Sequence, residues 1–206
     1  MELRDKQILH GDLGGRFAYF RLEQELPTDA RLTARITAVS RYRLWVNDQA
    51  VLSGSCKGDL NRQYYETVSL TPYLHAGKNV FAVQVLYNDP DIARDQTDER
   101  AAIYGVVGAG NCHALAIDGD ITDALGRVIG TISTGKALWQ VWLDHTFYLK
   151  SSEYTVYLGA TEESVDARRS PLEWKRLDFD ASSWSLACAS GPVMPSALFQ
   201  SVGLIP

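Results

Sequence analysis

The chain has 206 residues and a formal net charge of −5, with 46% hydrophobic and 22% charged residues. That composition is ordinary for a globular domain with a real core. The mildly acidic balance excludes the electrostatic footprint of a nucleic-acid or anionic-membrane binder. No apolar run approaches the roughly 20 residues that span a bilayer, and Met1-Glu-Leu-Arg-Asp-Lys6 has no apolar stretch of the secretory kind, so the cytoplasm is the expected location. Cys56, Cys112 and Cys188 are odd in number and far apart, which argues against a disulfide framework or a zinc site and for buried thiols.

The dominant period is two. From Arg31 to Ala38 the even positions Leu32, Ala34, Ile36 and Ala38 are apolar and the odd positions polar, the pattern of a half-buried strand. Tyr42, Leu44 and Val46 continue it, with Arg41, Arg43 and Asn47 opposite. Asn47-Asp48 predicts a tight turn, because both residues tolerate left-handed dihedrals, with a returning strand over 49–53. Residues 63–70 predict another strand. Thr71-Pro72 predicts an N-cap and first helical position for one short turn over 72–76, stopped at Gly77. Residues 79–87 predict a strand apolar on both faces, with Phe81, Val83, Val85 and Tyr87 on one of them.

Residues 88–100 carry Asp89, Pro90, Asp91, Asp95, Asp98 and Glu99 and form a long acidic loop. Strands are expected over 103–107, 113–122, 127–133 and 137–143, with a turn at Asp123-Ala-Leu-Gly126. The tail from Ser164 to Ala187 is less regular, and Asp178-Phe-Asp-Ala-Ser-Ser-Trp184 predicts a short turn anchored by aromatics. No long segment of period 3.6 and no internal repeat occurs. Many short strands with regular turns imply one all-β sandwich or jelly roll with one or two short helical turns.

Catalytic signatures are sparse. His10, His75, His113 and His145 form no metal-binding pair, and neither a nucleophile elbow nor a phosphate-cradling glycine loop is present. Glu162, Glu163 and Asp166 are the carboxylates that would serve glycoside hydrolysis, which needs an acid and a base or nucleophile across the bond. Carboxylates this close in sequence at a sheet end are ordinarily solvated or capping groups, and that reading is preferred. Asp59 and Asn61 are oxygen ligands suited to calcium, as are Asn88, Asp89 and Asp91 if the strand ending at Leu86 lies beside the 58–61 loop. Two independent polar turns are the simpler reading of those loops. Asp118-Gly-Asp120 with Asp123 reads as a hairpin turn rather than a calcium loop. Trp45, Trp139, Trp142, Trp174 and Trp184 are expected mainly in the core, since Trp is highly buried on average. Tyr64 and Tyr65 alternate faces, so one of them should point outward.

Several segments, in order, resemble the N-terminal β-sandwich of bacterial α-L-rhamnosidases, glycoside hydrolase family 78. They are Ser40-Arg-Tyr-Arg-Leu-Trp-Val-Asn47, Gly58-Asp-Leu-Asn-Arg-Gln-Tyr-Tyr-Glu-Thr-Val-Ser-Leu-Thr-Pro-Tyr-Leu74, Glu163-Ser-Val-Asp-Ala-Arg168, and Trp174 with Phe179-Asp-Ala-Ser-Ser-Trp184. The resemblance runs from about Phe17 to about Pro192 and departs where Asp48 replaces a turn glycine and Glu173 a glycine before tryptophan. It implies a galactose-binding-like jelly roll, related to family-67 carbohydrate-binding modules that bind terminal L-rhamnose through calcium. On that basis the carbohydrate-binding candidates are Asp59, Asn61, Arg62, Tyr64 and Asn88, and the calcium candidates Asp59, Asn61 and Asp89. The Trp of the family's longer segment at Asp59 is missing.

The resemblance places the family's catalytic acid and base in an (α/α)6 barrel, whose motif nothing here matches. The expected organisation is a single β-sandwich domain over 1–206. Residues 1–15 form an N-terminal extension, and 193–206 begin a linker toward a helical catalytic barrel of the same polypeptide. The expected role is a non-catalytic accessory domain supporting that barrel and contacting carbohydrate. The alternatives are an autonomous calcium-dependent L-rhamnose-binding module and, last, a small hydrolase using Glu163 and Asp166.

Overall fold

The computed structural model describes residues 17–38, 41–55, 64–86, 115–150 and 162–188. These form an all-β sandwich of two antiparallel sheets, as the period-two pattern predicts. The strands are β1 (Phe17–Leu26), β2 (Arg31–Ala38), β3 (Arg41–Val46), β4 (Gln49–Gly54), β5 (Glu66–Ser69), β6 (Gly77–Leu86), β7 (Leu115–Asp118), β8 (Asp120–Thr122), β9 (Val128–Thr131), β10 (Gln140–Asp144), β11 (Phe147–Lys150), β12 (Glu162–Val165) and β13 (Ser185–Leu186). One sheet has the order β13-β10-β1-β6-β3-β4 and the other β5-β2-β8-β9, with β7 also paired to β2. The β11–β12 hairpin forms a separate ribbon. The predicted strand over 103–107 lies outside the described residues.

The core lies between the sheets. Ala18, Phe20 and Leu22 of β1, Phe81, Val83 and Val85 of β6, and Tyr42, Leu44 and Val46 of β3 face Leu32, Ala34 and Ile36 of β2 and Ile117 of β7. Trp139 fills the space beside them, fully buried, and its indole nitrogen donates to the Ile132 carbonyl (2.8 Å). Burial of such side chains, at roughly 25 cal/mol per Å² of apolar surface, drives the two sheets together.

Local structure follows the turn chemistry, with adjustments. Asn47 and Asp48 have φ of 52° and 64°, the left-handed pair of a type I′ hairpin turn. The Asn47 side chain also ties the hairpin to the chain after β5. Its Nδ2 donates to the Tyr73 carbonyl (2.9 Å) and to Asn79 Oδ1 (2.8 Å), and its Oδ1 accepts from the Val80 amide (2.8 Å). Asn79, fully buried, in turn bonds the His75 and Gly77 backbone. The predicted helical turn over 72–76 is instead a 3₁₀ turn over Thr71–Tyr73, and Leu74 is already extended. Thr71 caps nothing. Its hydroxyl accepts from the Leu32 amide and donates to the Leu32 carbonyl, fastening the turn to β2.

The strand expected over 113–122 divides at Gly119 into β7 and β8. A Cβ there would lie 3.0 Å from the Leu32 side chain and 3.1 Å from the Thr33 carbonyl, so a larger residue would press on β2 at this close crossing. The expected strands over 127–133 and 137–143 shorten to β9 and β10, because Ile132, Ser133 and Thr134 turn inward to bond β7 and the backbone beside it. The 123–126 turn forms as predicted, with Gly126 at φ 77° and Asp123 Oδ1 accepting from the Leu125 and Arg127 amides (2.9 Å each).

Candidate functional site

Two regions bear on function: the stem at Ser55 and Tyr64, and the outer face of the six-stranded sheet. At the stem, Thr37 joins these two residues. Its hydroxyl donates to the Tyr64 carbonyl (2.7 Å) and lies 3.1 Å from Ser55 Oγ, which accepts from the Ala38 amide (3.0 Å). Beside it Tyr42 donates to Glu66 (2.7 Å), and this bond passes where a Cβ on Gly54 would sit, so β4 approaches β5 closely there. Of the sequence-predicted site residues, Tyr64 is placed at this stem and half-buried, with Tyr65 buried beside it. Asp59, Asn61, Arg62, Asn88 and Asp89 lie outside the described residues, as do Cys56 and Cys112. Cys188 is a free thiol and only half-buried, because it sits on the sheet edge beside β13 rather than in the core.

The remaining carboxylates are already engaged or separate. Asp118 pairs with Arg35 and accepts from Ser133, and Asp123 pairs with Arg127 (2.6 Å), so neither is a calcium ligand held in waiting. Asp166 caps the 3₁₀ turn Ala167–Arg169 and binds Arg168 (2.7 Å), which holds its carboxyl below the usual range. Glu162 and Glu163 lie in β12, opposite Lys150 and Leu149. Among the described residues no three His, Cys, Asp or Glu side chains converge as a metal site. No helix among them is long and apolar enough to cross a membrane.

The outer face of the six-stranded sheet is the larger surprise. The segment from Pro171 to Leu186 crosses it as a strap, laying Trp174, Phe179 and Trp184 over Tyr19, Trp45, Val80, Ala82 and Trp142. The rings meet at centroid distances of 4.8 Å (Tyr19–Trp174), 5.8 Å (Trp45–Trp174) and 5.6 Å (Phe179–Trp184). Such contacts favour edge-to-face geometry, because the positive ring edge meets the negative π face. The sequence reading of an aromatic-anchored tail holds. The expectation that tryptophans belong mainly to the core holds only in part: Trp139 lies between the sheets, while Trp174 and Trp184, carried by the strap, are buried against the outer face and Trp45 and Trp142 are half-buried at its margins.

Polar groups under the strap are largely matched, the exception being the Arg21 Nε, which is buried without an acceptor among the described residues. Arg21, fully buried, donates to the Trp174 carbonyl (2.9 Å) and pairs with Glu23 (2.5 Å), with Phe179 stacked 5.6 Å away. Tyr19 donates to the buried Asp144 (2.6 Å). Burial, reinforced by that carboxylate, holds the Tyr19 phenol far above its ordinary range. The signal in the sequence was the apolar second face of β6, which only a covering segment explains.

No protein-family model matches the chain, and no curated protein matches it in sequence. Solved structures do. The family-78 rhamnosidase of Bacillus sp. GL1 superposes with a TM-score of 0.62 at 22% identity, over 87% of this chain and 17% of that one. This chain has the fold of one domain of an α-L-rhamnosidase. The enzyme of Aspergillus terreus gives 0.59 at 22% identity, over 83% and 19%, and that of Streptomyces avermitilis, solved with L-rhamnose, gives 0.61 at 20%, over 86% and 16%. The chain therefore spans less than a fifth of the length of each of these rhamnosidases.

Proposed function

We propose that this chain is a non-catalytic β-sandwich module of an α-L-rhamnosidase-type glycoside hydrolase, supporting an (α/α)6 catalytic domain of the same polypeptide. The observation that carries this reading is the superposition of 83–87% of the chain on less than a fifth of three α-L-rhamnosidases. The engagement of Asp118, Asp123 and Asp166 in local ion pairs agrees with it, since a glycosidase needs two carboxylates free to face a substrate. The test is hydrolysis of a chromogenic α-L-rhamnoside by the purified chain. No release above the buffer rate is expected; turnover abolished by Glu163→Gln would overturn the reading.

A second reading, a module that itself binds terminal L-rhamnose through calcium, rests on Asp59, Asn61 and Asp89 with Arg62, Tyr64 and Asn88. What favours it is the stem: Thr37 draws together Ser55 and Tyr64, the described residues that flank the segment bearing Asp59 and Asn61. Calorimetric titration with L-rhamnose decides it. Heat that requires calcium and disappears in Asp59→Ala supports it, and its absence up to millimolar sugar rejects it.

A further inference from the structure

The strap leaves one part of the outer face uncovered. On β3 the residues of the outer face are, in alternation, Arg41 and Arg43, both exposed, and Trp45, half-buried at the margin of the strap. Alternate residues of a strand stand about 6.7 Å apart, so the three side chains form a row. Five other arginines hold carboxylates, Arg21 with Glu23, Arg35 with Asp118, Arg127 with Asp123, Arg168 with Asp166 and Arg176 with Asp178, whereas Arg31 and Arg169 form no side-chain ion pair among the described residues. Among the described residues Arg41 and Arg43 hold no hydrogen bond or ion pair, although the chain has more acidic than basic groups.

The neighbours of the row are chemically specific. Arg43 stands opposite Gln84 on β6 and Ser53 on β4. Gln84 donates weakly to the Tyr19 hydroxyl (3.4 Å), and its carbonyl oxygen accepts no bond among the described residues. At the far end Trp45 is braced by Trp174, and the Lys175 ammonium lies 5.0 Å over its ring, tethered to Asp48 (3.3 Å). The surface thus offers two guanidiniums and a rigid indole on β3, flanked by an amide on β6, a hydroxyl on β4 and the Asp48-tethered ammonium of the strap.

We propose that this row binds a carboxylate-bearing saccharide, a short chain of uronic acid sugars, as an accessory substrate contact. The planar guanidiniums fit carboxylates bidentately. Gln84 and Ser53 meet ring hydroxyls, and the indole gives the C–H face of a sugar an apolar wall. Two arginines on a chain of net charge −5 are too small a positive field to retain nucleic acid, whose affinity comes from many phosphate contacts. The choice of a saccharide over an acidic peptide rests on the module reading above; the free arginine pair does not.

The experiment is titration of the 206-residue chain with an oligomer of galacturonic acid, followed by heat and by tryptophan fluorescence, beside its methyl-esterified form and poly-glutamate. The expected result is binding to the acid form that weakens about tenfold or more in Arg41→Ala/Arg43→Ala, is lost on esterification, and falls with added salt as exposed charges are screened. Both positions are exposed and unbonded, so an unchanged melting temperature confirms that the variant is folded. No binding at millimolar oligomer, equal binding by the double variant, or equal binding of poly-glutamate would each overturn the proposal. None of these outcomes alters the rhamnoside assay, which tests the module reading separately.

Discussion

The two faces of the six-stranded sheet are buried by different means. The inner face meets a second sheet, and its contacts are aliphatic, with Phe20, Phe81 and Trp139 as the large residues. The outer face is covered by an irregular strap, and its contacts are aromatic rings and long polar side chains whose hydrogen bonds run to strap backbone. A sheet can match another sheet by the repeat of its pleat. An irregular segment has unpaired amides and carbonyls, so it must be held by side chains that combine large apolar area with a polar end. Tyr19, Arg21 and the tryptophans of this face have that character. Where the strap stops, the same face carries Arg41 and Arg43 in solvent.

Substitutions at graded positions break this contrast in order of size. Trp139→Ala empties the inner core and leaves the Ile132 carbonyl without its donor, at a cost of about 3–5 kcal/mol by denaturant titration. Trp174→Ala removes the centre of the strap at about 3 kcal/mol, and limited proteolysis then cuts at Lys175 and Arg176 in the variant but not in the parent. Arg21→Met keeps the apolar stem but strands the Trp174 carbonyl, at about 2 kcal/mol.

Tyr19→Phe costs about 1–2 kcal/mol at neutral pH, because Asp144 loses a buried donor. It also changes the alkaline limb of stability. The folded-state pKa of Tyr19 is raised, so its contribution is fully present below the unfolded phenol value near about 10 and is lost as pH rises above it. Thermal melts of the parent should therefore fall more steeply with pH above that value than melts of the variant. Arg43→Ala, on the uncovered part of the face, should change stability by less than about 0.5 kcal/mol. A large loss there would mean that the row is structural.

The inner face was legible in the sequence because one strand suffices to display it. Leu32, Ala34 and Ile36 alternate with polar residues, and Asn47-Asp48 names its own turn. The strap was legible only as an aromatic, turn-rich tail. Its partner surface is formed by β1, β3, β6 and β10, whose contacts with it include separations of 41 residues at Gln140 and 153 at Arg21. The division at Gly119 was hidden for a similar reason, since the close approach at this glycine comes from β2. Among the described residues, Asn47, Thr71 and Trp174 of the motifs behind the rhamnosidase resemblance are architectural: they fasten turns and strap to the sheets. They specify the sandwich, and the sugar-site candidates Asp59, Asn61, Arg62, Asn88 and Asp89 lie outside the described residues.

The most direct test of the account is native-state hydrogen exchange of the strap against the inner sheet. If the outer face is a second core, the Trp184 and Ala187 amides, bonded to the Ala181 and Trp139 carbonyls, exchange slowly and through the same cooperative opening as the β6 amides. Rapid exchange of those amides while β6 stays protected would contradict it, and the strap would then be a tail resting on a sandwich that is complete without it.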